Sequence, residues 1–377
     1  MTSLSYVILL CAAFVYGQSE SSNTSIKEPC TPCPTTCFER GYPDTKPCLS
    51  GAYNEAANFE LNSCPWNIWL DTSFTYWIAY EEGLDLAAST AYTVPSSSLY
   101  QIQTLFQPTE WKPGFKVGLG ANLKHDHWSG FAEYTWFRSK TEVSATPAPG
   151  PAGSSATRWH FHDWHLQSES HYSNISSLWK LHMDLADLGI TRPCYQGTHL
   201  IIAPFGGLRA TWIRQNLRTH LIPYSGVGQD VPVFQTTSIR YKSNSWAIGP
   251  RGGLRGKWHL KWGFRVEGDL AAAILFTRYT TVSGFADPAL TTDHYSTLNF
   301  DDYNTLRFNN DICLGLGYGS YFNCRKYHID FLASYDFQIF WSQNMMRAIA
   351  DSFNSGVGAS PGNLFLQGLT LKAQLDF

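Results

Sequence analysis

Along much of this chain apolar and polar residues alternate one by one. The C-terminus is the cleanest case: Leu369, Leu371, Ala373, Leu375 and Phe377 share one parity, and Thr370, Lys372, Gln374 and Asp376 share the other. Side chains on a strand point alternately to the two faces of its sheet, so such a run predicts a strand with one apolar and one polar face. The pattern recurs. Tyr327 to Trp341 keeps its odd positions apolar against His328, Asp330, Asp336 and Gln338. Leu306, Phe308, Ile312, Leu314 and Leu316 oppose Arg307, Asn309 and Asp311. Phe264, Val266, Leu270 and Ile274 oppose Arg265, Glu267 and Asp269. Phe115, Val117 and Leu119 alternate with Lys116, Gly118 and Gly120. In Trp179, Leu181, Met183 and Leu185 against Lys180, His182 and Asp184, the apolar set is read as the outer face. Between the runs, Ser144–Thr157, Pro223–Gln235, Ser283–Ser296 and Ala350–Gly362 lack periodicity and read as loops. The count of runs predicts a closed, antiparallel, all-β transmembrane barrel of roughly fourteen strands, an even number from about twelve to sixteen.

Composition favours that barrel over its rivals. The mean hydropathy is −0.22, and no internal stretch approaches the ~20 apolar residues of a spanning helix. A barrel tolerates low mean hydropathy because only alternate residues meet lipid. Trp, Tyr and Phe make up 15 % of the chain, more aromatic mass than a soluble core of this length needs, and Trp and Tyr favour membrane–water interfaces. A net charge of −3 without a basic run argues against nucleic acid as a partner.

The N-terminus reads as a targeting signal. Val7–Val15 is a short apolar run, and Val15 and Gly17 supply small residues for cleavage, so residues 1–17 are expected to be a signal peptide. Residues 18–64 are rich in Cys and Pro: Cys30, Cys33, Cys37, Cys48 and Cys64 crowd this segment. In an exported protein that crowding favours disulfides, within the chain or to neighbours. A zinc site from Cys30, Cys33, Cys37 and Cys48 is the rival reading. Residues 65–377 are the expected barrel.

Three further features bear on chemistry. His160, His162, His165 and His171 cluster with Asp163 and Glu169, but among Trp159, Phe161 and Trp164 they read as interfacial strand rather than as a metal site. No Gly-x-Ser-x-Gly elbow is present, and no catalytic set or cofactor is expected. Parity places Arg265, Glu267, Asp269, Arg307, Asp311, Asp330 and Asp336 inward, where charge avoids lipid. These seven are the candidate pore-lining residues, setting ion preference or bracing the wall.

Five stretches carry a family resemblance: WNIWLDTSFTYWIAYEEGLDLA, FKVGLGANLKHDHWSGFAEYTWF, WKLHMDLADLGITR, LIIAPFGGLRATWIRQNL and WAIGPRGGLRGKWHLKWGFRVEGDLAAAILFTRY. In order and content they resemble the Legionella-type major outer membrane protein family, which also occurs in environmental relatives of Chlamydia. Pro204–Arg209 (PFGGLR) and Gly249–Leu254 (GPRGGL) are the most specific pieces. The resemblance implies a multi-pass protein of the bacterial outer membrane with no enzymatic activity. It implies a porin that passes ions and small hydrophilic solutes through a water-filled barrel. A cross-linked structural barrel and a surface adhesin are the alternatives. Partners are then outer-membrane lipid, the barrel assembly machinery, which reads a last strand such as Leu369, Leu371, Leu375 and Phe377, and neighbours joined as homo-oligomers or through disulfides.

Overall fold

The computed structural model describes residues 67–92, 100–123, 128–145, 158–160, 172–197, 199–223, 237–260, 263–287, 296–300, 302–322, 327–347 and 361–377. The signal peptide, Cys30, Cys33, Cys37, Cys48, Cys64 and three of the four clustered histidines lie outside these residues. In chain order the strands are β1 (Asn67–Glu81), β2 (Asp85–Tyr92), β3 (Tyr100–Phe106), β4 (Trp111–Asn122), β5 (Ser129–Ala145), β6 (Arg158–His160), β7 (Tyr172–Thr191), β8 (Tyr195–Gln196), β9 (Leu200–Pro223), β10 (Thr237–His259), β11 (Phe264–Asp287), β12 (Ser296–Phe300), β13 (Tyr303–Phe322), β14 (Tyr327–Asn344) and β15 (Gly362–Asp376).

Ten of them close a ring of antiparallel neighbours, β1-β4-β5-β7-β9-β10-β11-β13-β14-β15 and back to β1. β8 and β12 add short pairings to β9 and β11, while β2, β3 and β6 form a separate small sheet. The closed antiparallel barrel agrees with the alternation, but it has ten strands rather than roughly fourteen. The reason is strand length. β9 and β11 run for 24 residues each, against the ~9–11 that cross a membrane, so the alternating residues are spent on fewer, longer strands. Ser283–Asp287, which lacks clear periodicity, is the end of β11 rather than loop.

Closure rests on the two ends of the chain. β1 and β15 pair from Trp69 opposite Asp376 to Glu81 opposite Leu364. Beyond them Ile68 and Phe377 exchange both backbone hydrogen bonds, at 3.1 and 2.9 Å. At this same end of the barrel the connections are short. The four-residue connection from β10 to β11 turns through Gly263 at a φ of 80°, where an added Cβ would meet the carbonyl oxygen of Gly319 at 2.8 Å. The connections at the opposite end are long, such as 82–110 and 146–171. Short turns mark the periplasmic side of such barrels and long loops the outer side.

The distribution of polarity changes along the barrel axis. One outward-facing row runs through register partners Phe115, Trp136, Asp184, Trp212 and Trp246. Below it, towards the chain termini, the outward side chains are apolar or small: Ala186, Leu188 and Ile190 on β7, Ile248, Pro250 and Leu254 on β10. β10 ends at an outward Trp258, twelve residues below Trp246. At ~3.3 Å per residue and the usual strand tilt, that separation is about 30 Å, the height of an apolar band between two aromatic girdles. Among the described residues, the barrel strands carry no outward charge below that row. The inward side chains there are the charged ones.

Above the row the arrangement is reversed. Outward positions on β7 and β9 are Lys180, His182, Arg214 and Arg218, while Trp179, Leu181, Met183, Ile213 and Leu217 are buried inside. They join Trp77, Phe137, Leu364 and Leu366 in one apolar cluster inside the outer half of the barrel. The Trp77 and Phe137 rings lie 5.7 Å apart across it. The reading of Trp179, Leu181, Met183 and Leu185 as an outer face is therefore corrected. These residues stand above the apolar band, where water is outside and the apolar residues must turn inward.

The inversion makes Leu181 and Lys180 opposites in their tolerance. Leu181→Lys should destabilise the folded barrel by about 3 kcal/mol or more, whereas Lys180→Leu should stay within about 0.5 kcal/mol, in urea unfolding from detergent micelles. Deleting Phe377 removes the last bonds of the seam and should abolish the faster gel migration expected of the unheated, folded barrel; unchanged mobility would remove the seam's importance.

Candidate functional site

The lower half of the lumen is built from charges presented by alternate positions of successive strands. At mid-height Arg209 on β9 donates from Nε to Asp187 Oδ1 (2.6 Å) and from Nη2 to Asp187 Oδ2 (2.7 Å) on β7. Its Nη1 reaches across the lumen to Asp311 on β13 at 2.7–2.8 Å, and also to Asn309. Arg251 on β10 donates to the same Asp311 at 2.8 Å, and Gln338 on β14 adds a third donor at 2.7 Å. The side chains of Arg209 and Asp187 are each only 4 % exposed, so both charges depend on one another and on the cluster.

The two motifs singled out in the sequence meet here. Arg209 stands opposite Gly249, Gly207 opposite Arg251, and Phe205 opposite Gly253. An added Cβ on Gly253 would come within 2.6 Å of the Phe205 ring, so glycine there leaves the ring its place. Arg251 and Arg255 then lie over that ring, at 5.1 and 5.7 Å from its centre.

Two further layers complete the lower lumen. Lys116 on β4 reaches Asp336 on β14 at 3.0 Å, passing two strands, and Asp336 also accepts from Thr370 at 2.7 Å. Nearer the termini Arg265 binds Glu267 (2.5 Å) and Asp330, and Arg255 binds Asp269 (3.1 Å). Of the seven candidate pore-lining residues, Glu267, Asp269, Arg265, Asp311, Asp330 and Asp336 thus lie in these ion-paired layers. Arg307 lies apart, near the Tyr279 ring and Met345 of the outer half. Leu369, Leu371, Leu375 and Phe377 face outward on the seam strand. Cys313 is a reduced thiol on the inward face.

The seven candidates left out Arg209, Arg251 and Arg255, and sequence reasoning missed Asp187 and Lys116 as well. Asp187 shares its parity with Trp179–Leu185, so the misread face of β7 carried it outward. Lys116 could have been found, since it alternates with the apolar Phe115 and Val117.

Above the charges lies the apolar cluster, with buried polar contacts set among it: Gln215 on β9 donates to Glu81 on β1 at 2.8 Å, and Gln343 on β14 donates to Ser245 on β10 at 2.9 Å. β9 and β1 stand nearly opposite in the ring. Beside them Glu81, Leu84, Gln107 and Trp179 line a cavity of about 20 Å³, room for one water.

The mid-height clamp makes a direct prediction. Arg209→Ala leaves the buried Asp187 with only the longer 3.7 Å contact to Arg251 and should cost about 3 kcal/mol, measured by urea unfolding in micelles. Arg255→Ala removes a half-buried partner and should cost less than half as much.

The family described as Legionella pneumophila major outer membrane protein precursor matches residues 66–377. No curated protein matches the chain. Among solved structures, the outer membrane protease OmpT from Escherichia coli is 11 % identical, covering 84 % of this chain and 98 % of its own, with a TM-score of 0.41. A major outer membrane protein from Thermus thermophilus is 8 % identical, covering 83 % and 99 %, with a TM-score of 0.26. The family match spans the whole ring of strands, from the start of β1 to the end of β15, and by it this closed β-barrel belongs to the Legionella major outer membrane protein family, a protein of the bacterial outer membrane.

Proposed function

We propose that this chain is a structural barrel of the outer membrane, closed to free diffusion, that displays its outer half and long loops at the cell surface. The observation that carries this reading is the burial of inward side chains in both halves of the barrel. Charged side chains bridge its lower half, and the apolar cluster around Trp77, Phe137 and Trp179 lies inside its upper half. Eight-stranded barrels are just wide enough for side chains to fill, and sixteen-stranded porins leave an aqueous channel. Ten strands stand near the first case. On this reading Cys30, Cys33, Cys37, Cys48 and Cys64, which precede β1 on its periplasmic end, join neighbouring copies through disulfides.

The second reading is the porin, with passive diffusion of ions and small solutes. It is favoured by the inward charges themselves, because Arg265, Asp330, Asp311 and their partners are the kind of layer that sets ion preference. It requires the apolar half to open.

One experiment separates the two. Refolded protein in a planar lipid bilayer is expected to show no sustained stepwise openings, with or without reductant. Replacing Trp77, Phe137 and Trp179 together by Gly is expected to create them. Stepwise conductance from the unaltered protein, with an ion preference shifted by Asp330→Asn or Arg307→Ala, would establish the porin instead.

A further inference from the structure

Among the described residues, the outer surface of the barrel carries its charge on the wall from β5 to β11, where Arg278 of β11 is paired with Asp302 at 2.8 Å. β1, β4, β13, β14 and β15 present no outward Lys, Arg, Asp or Glu among their described residues. On β5, β7, β9 and β10, by contrast, cations rise in successive rows above the aromatic row. The first holds Arg138, His182 and Arg214 in register. The second holds Lys140, Lys180, Asn216 and Lys242, and in the third Arg218 stands opposite Arg240. Each row lies two residues, about 7 Å, above the one before.

Arg138 is already satisfied, held by both oxygens of Asp184 at 2.9 Å. No carboxylate lies within ion-pair distance of Lys140, Lys180, Lys242, Arg214, Arg218 or Arg240 among the described residues. Lys140 faces Lys180 directly, and Arg218 faces Arg240 directly. Like charges opposite one another destabilise a sheet, and here two such pairs stand on neighbouring strands, with Glu142 the one outward carboxylate in their rows among the described residues. Nε of Arg218 is buried without a hydrogen-bond acceptor. The wall has the charge pattern of a surface completed by a multivalent anion.

Position narrows the anion. The cations begin one row above Trp136, Trp212 and Trp246, at the level where lipid head groups meet water. Directly below, the same strands present Ala186, Leu188, Leu208 and Ile248, an apolar strip suited to acyl chains. A ligand matching both parts has several phosphates above and several acyl chains below. We infer that the outward face of β5, β7, β9 and β10 binds a phosphorylated glycolipid of the outer leaflet, of the lipopolysaccharide type, through Lys140, Lys180, Lys242, Arg214, Arg218 and Arg240. The inference holds whether the lumen is closed or conducting, because it concerns the outer surface alone.

The test is binding of the full chain, refolded in a zwitterionic detergent, to purified lipopolysaccharide, read as protection against thermal unfolding and as affinity. The K140Q/K180Q/K242Q variant should bind at least tenfold more weakly while keeping the heat-modifiable mobility of the folded barrel. Its K140R/K180R/K242R counterpart should bind as the parent does. Lipopolysaccharide stripped of its phosphates should lose binding to the same degree, and added salt should weaken binding to the parent protein. Equal binding by the glutamine variant, or equal binding of dephosphorylated lipopolysaccharide, would overturn the inference. So would equal protection by inorganic phosphate or by phosphatidylglycerol vesicles, which would reduce the wall to a general anion surface. If the glutamine variant fails to fold, the dephosphorylated ligand against the parent protein decides alone.

Discussion

In hydrocarbon an unpaired backbone amide has no water to turn to, so a sheet that enters lipid must have no edge. In this protein that demand falls on one seam, where the first and last barrel strands pair along their length and Ile68 and Phe377 finish the ladder. Everything else is a consequence of closing there with ten strands. The number of strands sets the radius, the radius sets how far a side chain must reach to cross the lumen, and Arg209, Lys116 and Gln215 reach far enough. A wider ring made of the same residues would leave those groups in water, where their ion pairs would contribute little.

The second organising fact is that the wall has two solvents. Over the lower half lipid lies outside, so apolar residues face out and charges are kept inside, paired. Over the upper half water lies outside, and the same alternation serves the opposite arrangement, with an apolar centre and a charged exterior. The crossover occurs at the row of Trp136, Trp212 and Trp246, residues whose rings suit a boundary. A single β-strand such as β7 therefore switches the meaning of its two faces part of the way along, between Leu185 and Leu188.

This explains what could be read from the sequence and what could not. Alternation alone reveals strands, and on β11, β13, β14 and β15 it also gives the correct outward face, because there the apolar parity is the lipid parity. On β7 alternation is just as clear but its sign is ambiguous: Trp179 to Leu185 have the same pattern whether they face lipid or a core. Strand number failed for a related reason. Periodicity shows that residues alternate but not where a strand leaves the membrane, and long strands look like several short ones. The charged layers were legible where carboxylates and arginines faced apolar neighbours across a known lipid face, as with Arg265, Asp311 and Asp330. Which charge pairs with which depends on the order of strands around the ring, and no local pattern encodes that order.

The inverted outer half also bears on how the protein reaches its final position. To arrive outside, the ends of β5, β7, β9 and β10 must pass through the bilayer carrying Lys140, Lys180, Arg214, Arg218, Arg240 and Lys242 on the very surface that would touch lipid. Each such charge costs about 2–4 kcal/mol at the bilayer centre, so their joint passage through intact hydrocarbon faces a barrier on the order of ten to twenty kcal/mol. The finished barrel is at rest in lipid, but the route to it is not. Its exterior calls for a wet or protein-lined gate at the moment of entry, and once across, the same charges act as a ratchet against return.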